Sequence, residues 1–318
     1  MSDVSRVSAL PVPLGRESLR FYDVVSADGT RLKAWTNDAD GPTVLVCNGL
    51  GTSPYAWPAL LRADCGVRVL SWNHRGVGGS ERPVDPDRVD MDAFVEDALA
   101  VLDDACVEQC VAVGWSIGVN IAFELAVLRP ERVSGLFAVA GVPGGTFSSM
   151  GAPLQIPRFA RRPIALGVAT TFEHAGWALT PVLSRLPIGR RSAALLQHSG
   201  FMLPGADPQV VARAVEEFFT TPVQWYMHLA RAAARHDRIS LRQVQVPALF
   251  VAGTFDILAS ATDMRSAAER IPDSRYVELR GSHFLQMEHP DAVHRELLDF
   301  LGTLPDRQDR PKRTSRRK

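Results

Sequence analysis

A serine flanked two residues away on each side by glycine, in Gly114-Trp115-Ser116-Ile117-Gly118, follows the apolar run Val111-Ala112-Val113 and precedes a good helix-forming stretch. A chain that must turn sharply from strand to helix needs small residues at the turn, and it leaves the serine oxygen projecting into a pocket. Free N–H groups at the start of the following helix favour negative charge that develops there. A serine hydroxyl is a weak nucleophile at neutral pH, so such chemistry requires a base, and imidazole has the suitable acidity. Of the eight histidines, His283 in Arg280-Gly281-Ser282-His283-Phe284 lies directly after the last strand-like run. The imidazole in turn needs a carboxylate to set its tautomer and to stabilise the imidazolium. Asp256, in Thr254-Phe255-Asp256 just beyond Ala248-Leu249-Phe250-Val251-Ala252-Gly253, supplies one. The expected set is Ser116 as nucleophile, His283 as base and Asp256 as the acid that orients it.

The competing residues are weaker. His289 precedes Pro290 and His294 falls within the final helix, where capping or surface roles are expected. His74, in Asn73-His74-Arg75-Gly76, is placed to border the pocket mouth, but its structural reading is preferred. His174, His198, His228 and His236 belong to a helical insertion, and Asp263 and Asp273 to surface positions. Acyl transfer also needs donors for the oxyanion, and backbone amides serve. Ile117 N–H follows the nucleophile directly, and Leu50 N–H lies in Asn48-Gly49-Leu50-Gly51, after the run Thr43 to Cys47. The same glycines would equally make a tight turn.

Elements that position such groups are legible around them. Strand-like runs span Leu19 to Val25, Leu32 to Thr36, Thr43 to Asn48, Val67 to Asn73, Cys110 to Trp115, Val133 to Ala140, Ala248 to Ala252 and Arg275 to Leu279. The first two, joined through Ala27-Asp28-Gly29, read as an antiparallel hairpin. Several later ones are continuously apolar, as strands buried on both faces must be. Helices are expected at Tyr55 to Arg62, Met91 to Asp104, Ile117 to Leu128, Ala261 to Arg270 and Ala292 to Leu301. The alternation predicts an α/β fold with a mostly parallel eight-stranded sheet and flanking helices.

From Val142 to Val244 no strand pattern appears, and helical periodicity takes over, with helices near Gln209 to Phe219 and Val223 to Arg235. The expected organisation is a sheet core of residues 1–141 and 245–304, a helical cap of residues 142–244, and a tail of residues 305–318. Ile164, Leu166, Val168, Phe172, Trp177 and Leu179 would give the cap an apolar underside, interrupted by Arg161, Arg162, Arg190 and Arg191. Trp115, Phe284 and Trp177 are expected to line the substrate pocket. Packing alone also accounts for any one of these apolar residues.

Composition bounds the rest. The chain has 318 residues, 46% hydrophobic and 22% charged, with no net formal charge. No apolar run reaches the length a bilayer span needs. Residues 1–15 lack both a basic start and a continuous apolar stretch, so no secretory signal is read and a cytoplasmic location is the default. The tail concentrates Arg307, Arg310, Lys312, Arg313, Arg316, Arg317 and Lys318 against Asp306 and Asp309. Without interleaved aromatics it reads as a solvated, disordered end rather than a nucleic-acid site. Cys47, Cys65, Cys106 and Cys110 form no metal-type pair, and reduced thiols are expected. No metal or organic cofactor is implied, and oligomeric state is not set by these features.

These residues are similar to those of the α/β-hydrolase superfamily from about Leu19 to Leu301. Asn48-Gly49 resembles its His-Gly element, and Asn73-His74-Arg75-Gly76-Val77-Gly78-Gly79-Ser80 resembles its D-x-R-G-x-G-x-S loop. The resemblance implies nucleophile, acid and base roles for Ser116, Asp256 and His283, and oxyanion donation by Leu50 and Ile117. Two departures, Asn48 for histidine and Asn73 for aspartate, touch the hydrogen bonding of those loops. A serine at the elbow departs from the family's dehalogenase and epoxide-hydrolase branches, which use aspartate there. The expected activity is hydrolysis of a hydrophobic carboxylic ester through an acyl-serine. Thioester, lactone or C–C hydrolysis and perhydrolysis use the same residues, a slow-turnover receptor is a reading from another class, and a lipase working at a membrane surface is a further variant.

Overall fold

The computed structural model describes residues 17–145, 147–151, 155–178, 180–183, 189–199, 201–236 and 240–305. Residues 1–15, Leu179 and tail residues 306–318, named above, lie outside the described residues.

Eight strands form one sheet: β1 (Arg20–Val25), β2 (Arg31–Thr36), β3 (Thr43–Cys47), β4 (Arg68–Trp72), β5 (Cys110–Trp115), β6 (Val133–Val139), β7 (Ala248–Gly253) and β8 (Ser274–Leu279). Their order is β1-β2-β4-β3-β5-β6-β7-β8. β1 pairs antiparallel with β2 and β2 with β4, while all later pairings are parallel. The mostly parallel eight-stranded α/β sheet expected from the hydrophobic runs is thus the one observed. Parallel strands end on one edge, so the loops after β3, β5, β7 and β8 gather there. In open α/β sheets ligands bind at that edge.

The helices are α1 (Met91–Asp104), α2 (Gly118–Leu128), α3 (Arg158–Ala175), α4 (Thr180–Leu183), α5 (Arg190–Gln197), α6 (Pro208–Phe218), α7 (Val223–Ala234), α8 (Ala261–Ala268), α9 (Leu285–Glu288) and α10 (Pro290–Thr303). Asp90 caps α1 by accepting from Ala93 N–H at 2.9 Å, and Asp207 caps α6 from Gln209 N–H at 2.7 Å. Proline stands in the first turn of α6 and of α10, where its missing N–H costs nothing.

Both faces of the sheet are covered, which is why the strands lack polar alternation. Leu45, Ala112, Leu136 and Phe250 pack on Phe94 of α1 and Phe123 of α2. The alternate residues Val44, Val113, Phe137 and Val251 pack with Leu297 and Phe300 of α10. Between β6 and β7 the described residues form α3 to α7 with turns and one isolated bridge, Pro204 to Ala206. α7 is fastened to the sheet domain by Trp225, whose indole N–H donates to the Arg75 carbonyl at 2.8 Å. Arg75 itself is fully buried and forms a two-pronged ion pair with buried Asp97.

One expected helix is absent. Tyr55 to Arg62 contains only a single 3₁₀ turn, Pro54–Ala56, followed by turns. Pro58 explains this: it removes an N–H and its ring clashes with the preceding turn, so the apolar spacing of Ala56, Leu60 and Leu61 cannot be realised as a helix.

Candidate functional site

The turn between β5 and α2 carries the strain expected of a sharp reversal. Ser116 has φ of +57°, a left-handed conformation that costs a residue with a Cβ about 1 kcal/mol. Neighbouring glycines make the turn sterically feasible. A Cβ at Gly114 would stand 2.6 Å from Val119 Cα, and one at Gly118 would stand 1.9 Å from the Cys47 carbonyl oxygen. Helix α2 therefore rests with its first turn directly on the end of β3.

The structure brings the three predicted polar residues into one hydrogen-bonded line. His283 Nε2 lies 2.9 Å from Ser116 Oγ, and His283 Nδ1 lies 2.9 Å from Asp256 Oδ2. With Nδ1 protonated and donating to the carboxylate, Nε2 is free to accept from the serine. Asp256 is 1% exposed and His283 5%, so the line is shielded from water that would weaken it. The other carboxylate oxygen of Asp256 accepts from Leu258 N–H at 2.7 Å and Ala259 N–H at 2.8 Å. One carboxylate oxygen of Asp256 thus shapes its own turn and the other faces the imidazole. Trp115, adjacent to Ser116, donates its indole N–H to the His283 carbonyl at 2.9 Å.

Of the two asparagines that depart from the family pattern, Asn48 uses both ends of its amide, whereas Asn73 uses its NH₂ and leaves Oδ1 buried without a partner. Asn48 accepts from Trp57 Nε1 at 2.8 Å and donates to Ser71 Oγ at 3.1 Å. Asn73 donates to the Gly78 carbonyl at 2.7 Å, and Ser80 Oγ returns a bond to the Asn73 carbonyl. Among the described residues, the N–H groups of Leu50 and Ile117 meet no acceptor in the protein. Both residues border the same cavity as Ser116 and His283.

That cavity has a volume of about 370 Å³ and a mainly apolar wall. Trp115 and Phe284 line it as expected, and Phe201, Met202, Val211 and Val215 close it from the helical insertion. Trp177 does not: its side chain is 68% exposed and lies off the wall. Gly176 explains the displacement, since it is the residue of that turn pressed against α7, where a Cβ would meet Val223 Cγ1 at 2.8 Å. The next side chain is directed away.

The remaining histidines sort by burial. His74 is fully buried edge-on against Phe94, and burial pushes its pKa down to about 4. His294 is also buried, with Nε2–H donating to the Cys65 carbonyl at 2.8 Å, and burial lowers its pKa. The expectation of a capping or surface role for His294 is corrected accordingly; an apolar helix face admitted it because a backbone carbonyl lies opposite. His289 donates to the Arg280 carbonyl at 2.9 Å. His174, His198, His228 and His236 are absent from the cavity wall. All four cysteines are free thiols.

One residue next to the site escapes a reading by motif. Glu288, buried at the end of α9, accepts from Ser282 N–H at 2.7 Å, from Ser282 Oγ–H, and from Leu203 N–H at 2.7 Å. The available signal was spacing alone: an acidic residue five positions after His283, just before His289-Pro290.

The sequence model of the alpha/beta hydrolase fold family matches residues 42–290, and the chain belongs to that family. It is an α/β hydrolase. It is similar to epoxide hydrolase A of Mycobacterium tuberculosis, at 28% identity over 88% of this chain and 97% of that protein. It is also similar to 3-oxoadipate enol-lactonase 2 of Acinetobacter baylyi, at 25% identity over 86% and 94%. Among solved structures, the enol-lactonase from Burkholderia xenovorans superposes with a TM-score of 0.66 at 24% identity, covering 89% of this chain and all of that one, a likeness of fold. Among the described residues no helix is long and apolar enough to cross a membrane, and no group of side chains could hold a metal ion.

Proposed function

We propose that the protein is a serine hydrolase that cleaves a carboxylic ester of a hydrophobic small molecule through an acyl-enzyme on Ser116. The observation that carries this reading is the line Ser116 Oγ, His283 Nε2, His283 Nδ1, Asp256 Oδ2, with both contacts at 2.9 Å, opening on an apolar cavity.

In this mechanism the serine oxygen attacks the ester carbonyl while its proton passes to His283 Nε2. Asp256 holds the imidazole in the required tautomer and stabilises the cation that forms. The oxyanion is met by the N–H groups of Leu50 and Ile117, each worth on the order of 10²–10³ in rate. The imidazolium then protonates the departing alcohol. Water, deprotonated by the same nitrogen, attacks the acyl-serine; as the bond to Oγ breaks, the imidazolium returns that proton to Ser116 and the acid leaves. The cavity wall from the helical insertion holds the hydrophobic part of the substrate.

A lactone is the second reading, supported by the enol-lactonase relative, because the same steps open a cyclic ester. Epoxide opening fits the elbow poorly. Attack of a serine oxygen on an epoxide carbon would leave a serine ether, which has no carbonyl for water to attack and would not turn over. On this reading the likeness to epoxide hydrolase A is one of scaffold rather than of reaction.

A fluorophosphonate probe is expected to label wild-type protein once, at Ser116, and nitrophenyl esters of graded acyl length are expected to be cleaved with a maximum at medium chains. Absence of labelling together with absence of ester turnover would end this reading.

A further inference from the structure

Glu288 stands outside the line from Ser116 to Asp256, yet it is 3% exposed and among the described residues no cation pairs with it. Its partners are three donors. Oε2 accepts from Ser282 N–H at 2.7 Å, and Oε1 accepts from both Ser282 Oγ–H and Leu203 N–H, the latter at 2.7 Å. Buried acceptors so completely matched are held in one geometry, because any displacement leaves a polar group unpaired in an apolar setting.

The two residues so joined lie next to functional groups of different origin. Ser282 immediately precedes His283. Leu203 immediately follows Phe201 and Met202, which form part of the cavity wall. The Phe201 ring also lies 5.2 Å from that of Phe284, the residue after His283. Close approaches leave little slack around Glu288: a Cβ at Gly281 would stand 2.9 Å from its carboxylate Oε2, and one at Gly205 would stand 3.1 Å from its main-chain carbonyl oxygen.

We infer that Glu288 is a positioning residue that fixes the His283 loop against the Phe201-Met202 wall, so that base and bound substrate are held in register. The inference rests on the proposed serine-hydrolase reading. It assigns Glu288 no contact with substrate and no proton transfer. Its effect is to keep His283 Nε2 at hydrogen-bond distance from Ser116 while the cavity is filled, and small misplacements of reacting groups are costly in rate.

The test is Glu288→Gln in the full-length chain, with active sites counted by fluorophosphonate titration. An amide has a single acceptor oxygen, and its NH₂ would face one of the three donors. The expected result is a fall in kcat per titrated site of about 10–100-fold, with KM changed less than twofold. A residue that merely stabilised the fold would lower the number of titratable sites and leave kcat per site unchanged. Ser282→Ala, which removes one donor and keeps Ser282 N–H, covers the case in which Glu288→Gln does not fold. It is expected to lower kcat per site about fivefold, the worth of roughly one hydrogen bond. Normal kcat per site in Glu288→Gln, or in Ser282→Ala when that is the variant that folds, overturns the inference. A wild-type protein that the probe fails to label overturns the hydrolase reading instead.

Discussion

Trp115, the residue before the proposed nucleophile, donates its indole N–H to the backbone carbonyl of His283, the proposed base, at 2.9 Å. The side chain is 2% exposed and lies against the rings of both His283 and Phe284. The β5 turn and the loop after β8 are thereby linked by one buried bond, independently of the serine and imidazole themselves. Trp115→Phe keeps much of the apolar area and leaves the carbonyl without its donor. The expected loss is about 1–3 kcal/mol of stability, read by chemical denaturation. Ester turnover should fall about tenfold, far less than on removal of a member of the line.

At position 116 two substitutions separate chemistry from strain. Ser116→Ala and Ser116→Gly both remove the proposed nucleophile and should lower ester turnover by on the order of 10⁴ or more. Alanine keeps the cost of a positive φ, whereas glycine adopts it freely. Chemical denaturation should therefore find the glycine variant more stable than the alanine variant by about 1 kcal/mol. Equal stabilities would show that the backbone relaxes once the hydroxyl is gone.

Asp256 accepts three hydrogen bonds, two from backbone N–H groups and one from His283. In Asp256→Asn the amide oxygen can serve the backbone pair only if the NH₂ faces Nδ1, which then must surrender its proton to Nε2. An imidazole protonated at Nε2 cannot accept from Ser116. Turnover at neutral pH should fall by on the order of 10³–10⁴, with the melting transition little changed.

His74 predicts a pH dependence of stability. Its folded pKa is depressed to about 4 by burial, below the ordinary value of 6.5. Between those two values the unfolded chain binds a proton that the folded chain refuses. The contribution is therefore fully present above pH 6.5 and is lost as pH falls toward 4, at up to about 1.4 kcal/mol per pH unit. Urea titrations of His74→Leu should show a flatter decline across this window. A slope equal to that of wild type would place the acid sensitivity elsewhere.

The strands were readable because double-sided burial leaves them continuously apolar, as in Ala248 to Ala252, and because turns such as Ala27-Asp28-Gly29 punctuate them. Ser116, Asp256 and His283 stood out because parallel strands deliver their following loops to one edge, so position along the chain stands in for position in space. The rest depended on tertiary facts. Pro58 defeated a helical spacing over Tyr55 to Arg62. Trp177 shares its hydrophobicity with residues that do line the cavity, and only the seating of Gly176 against α7 decides which way it turns. No motif singles out Glu288, because its three donors come from residues 203 and 282 and no sequence periodicity connects them.

The contact between Gly118 and the Cys47 carbonyl has a consequence for how this scaffold can change. No side chain intervenes between the end of β3 and the start of α2, so the separation of their two loops is fixed by main-chain thickness alone. Substitutions in the interior can rearrange packing around that junction without altering it. Diversification of what is accepted is thereby channelled into residues arriving from the helical insertion such as Val211 and Val215, which border the cavity apart from the wall that Glu288 ties to the His283 loop.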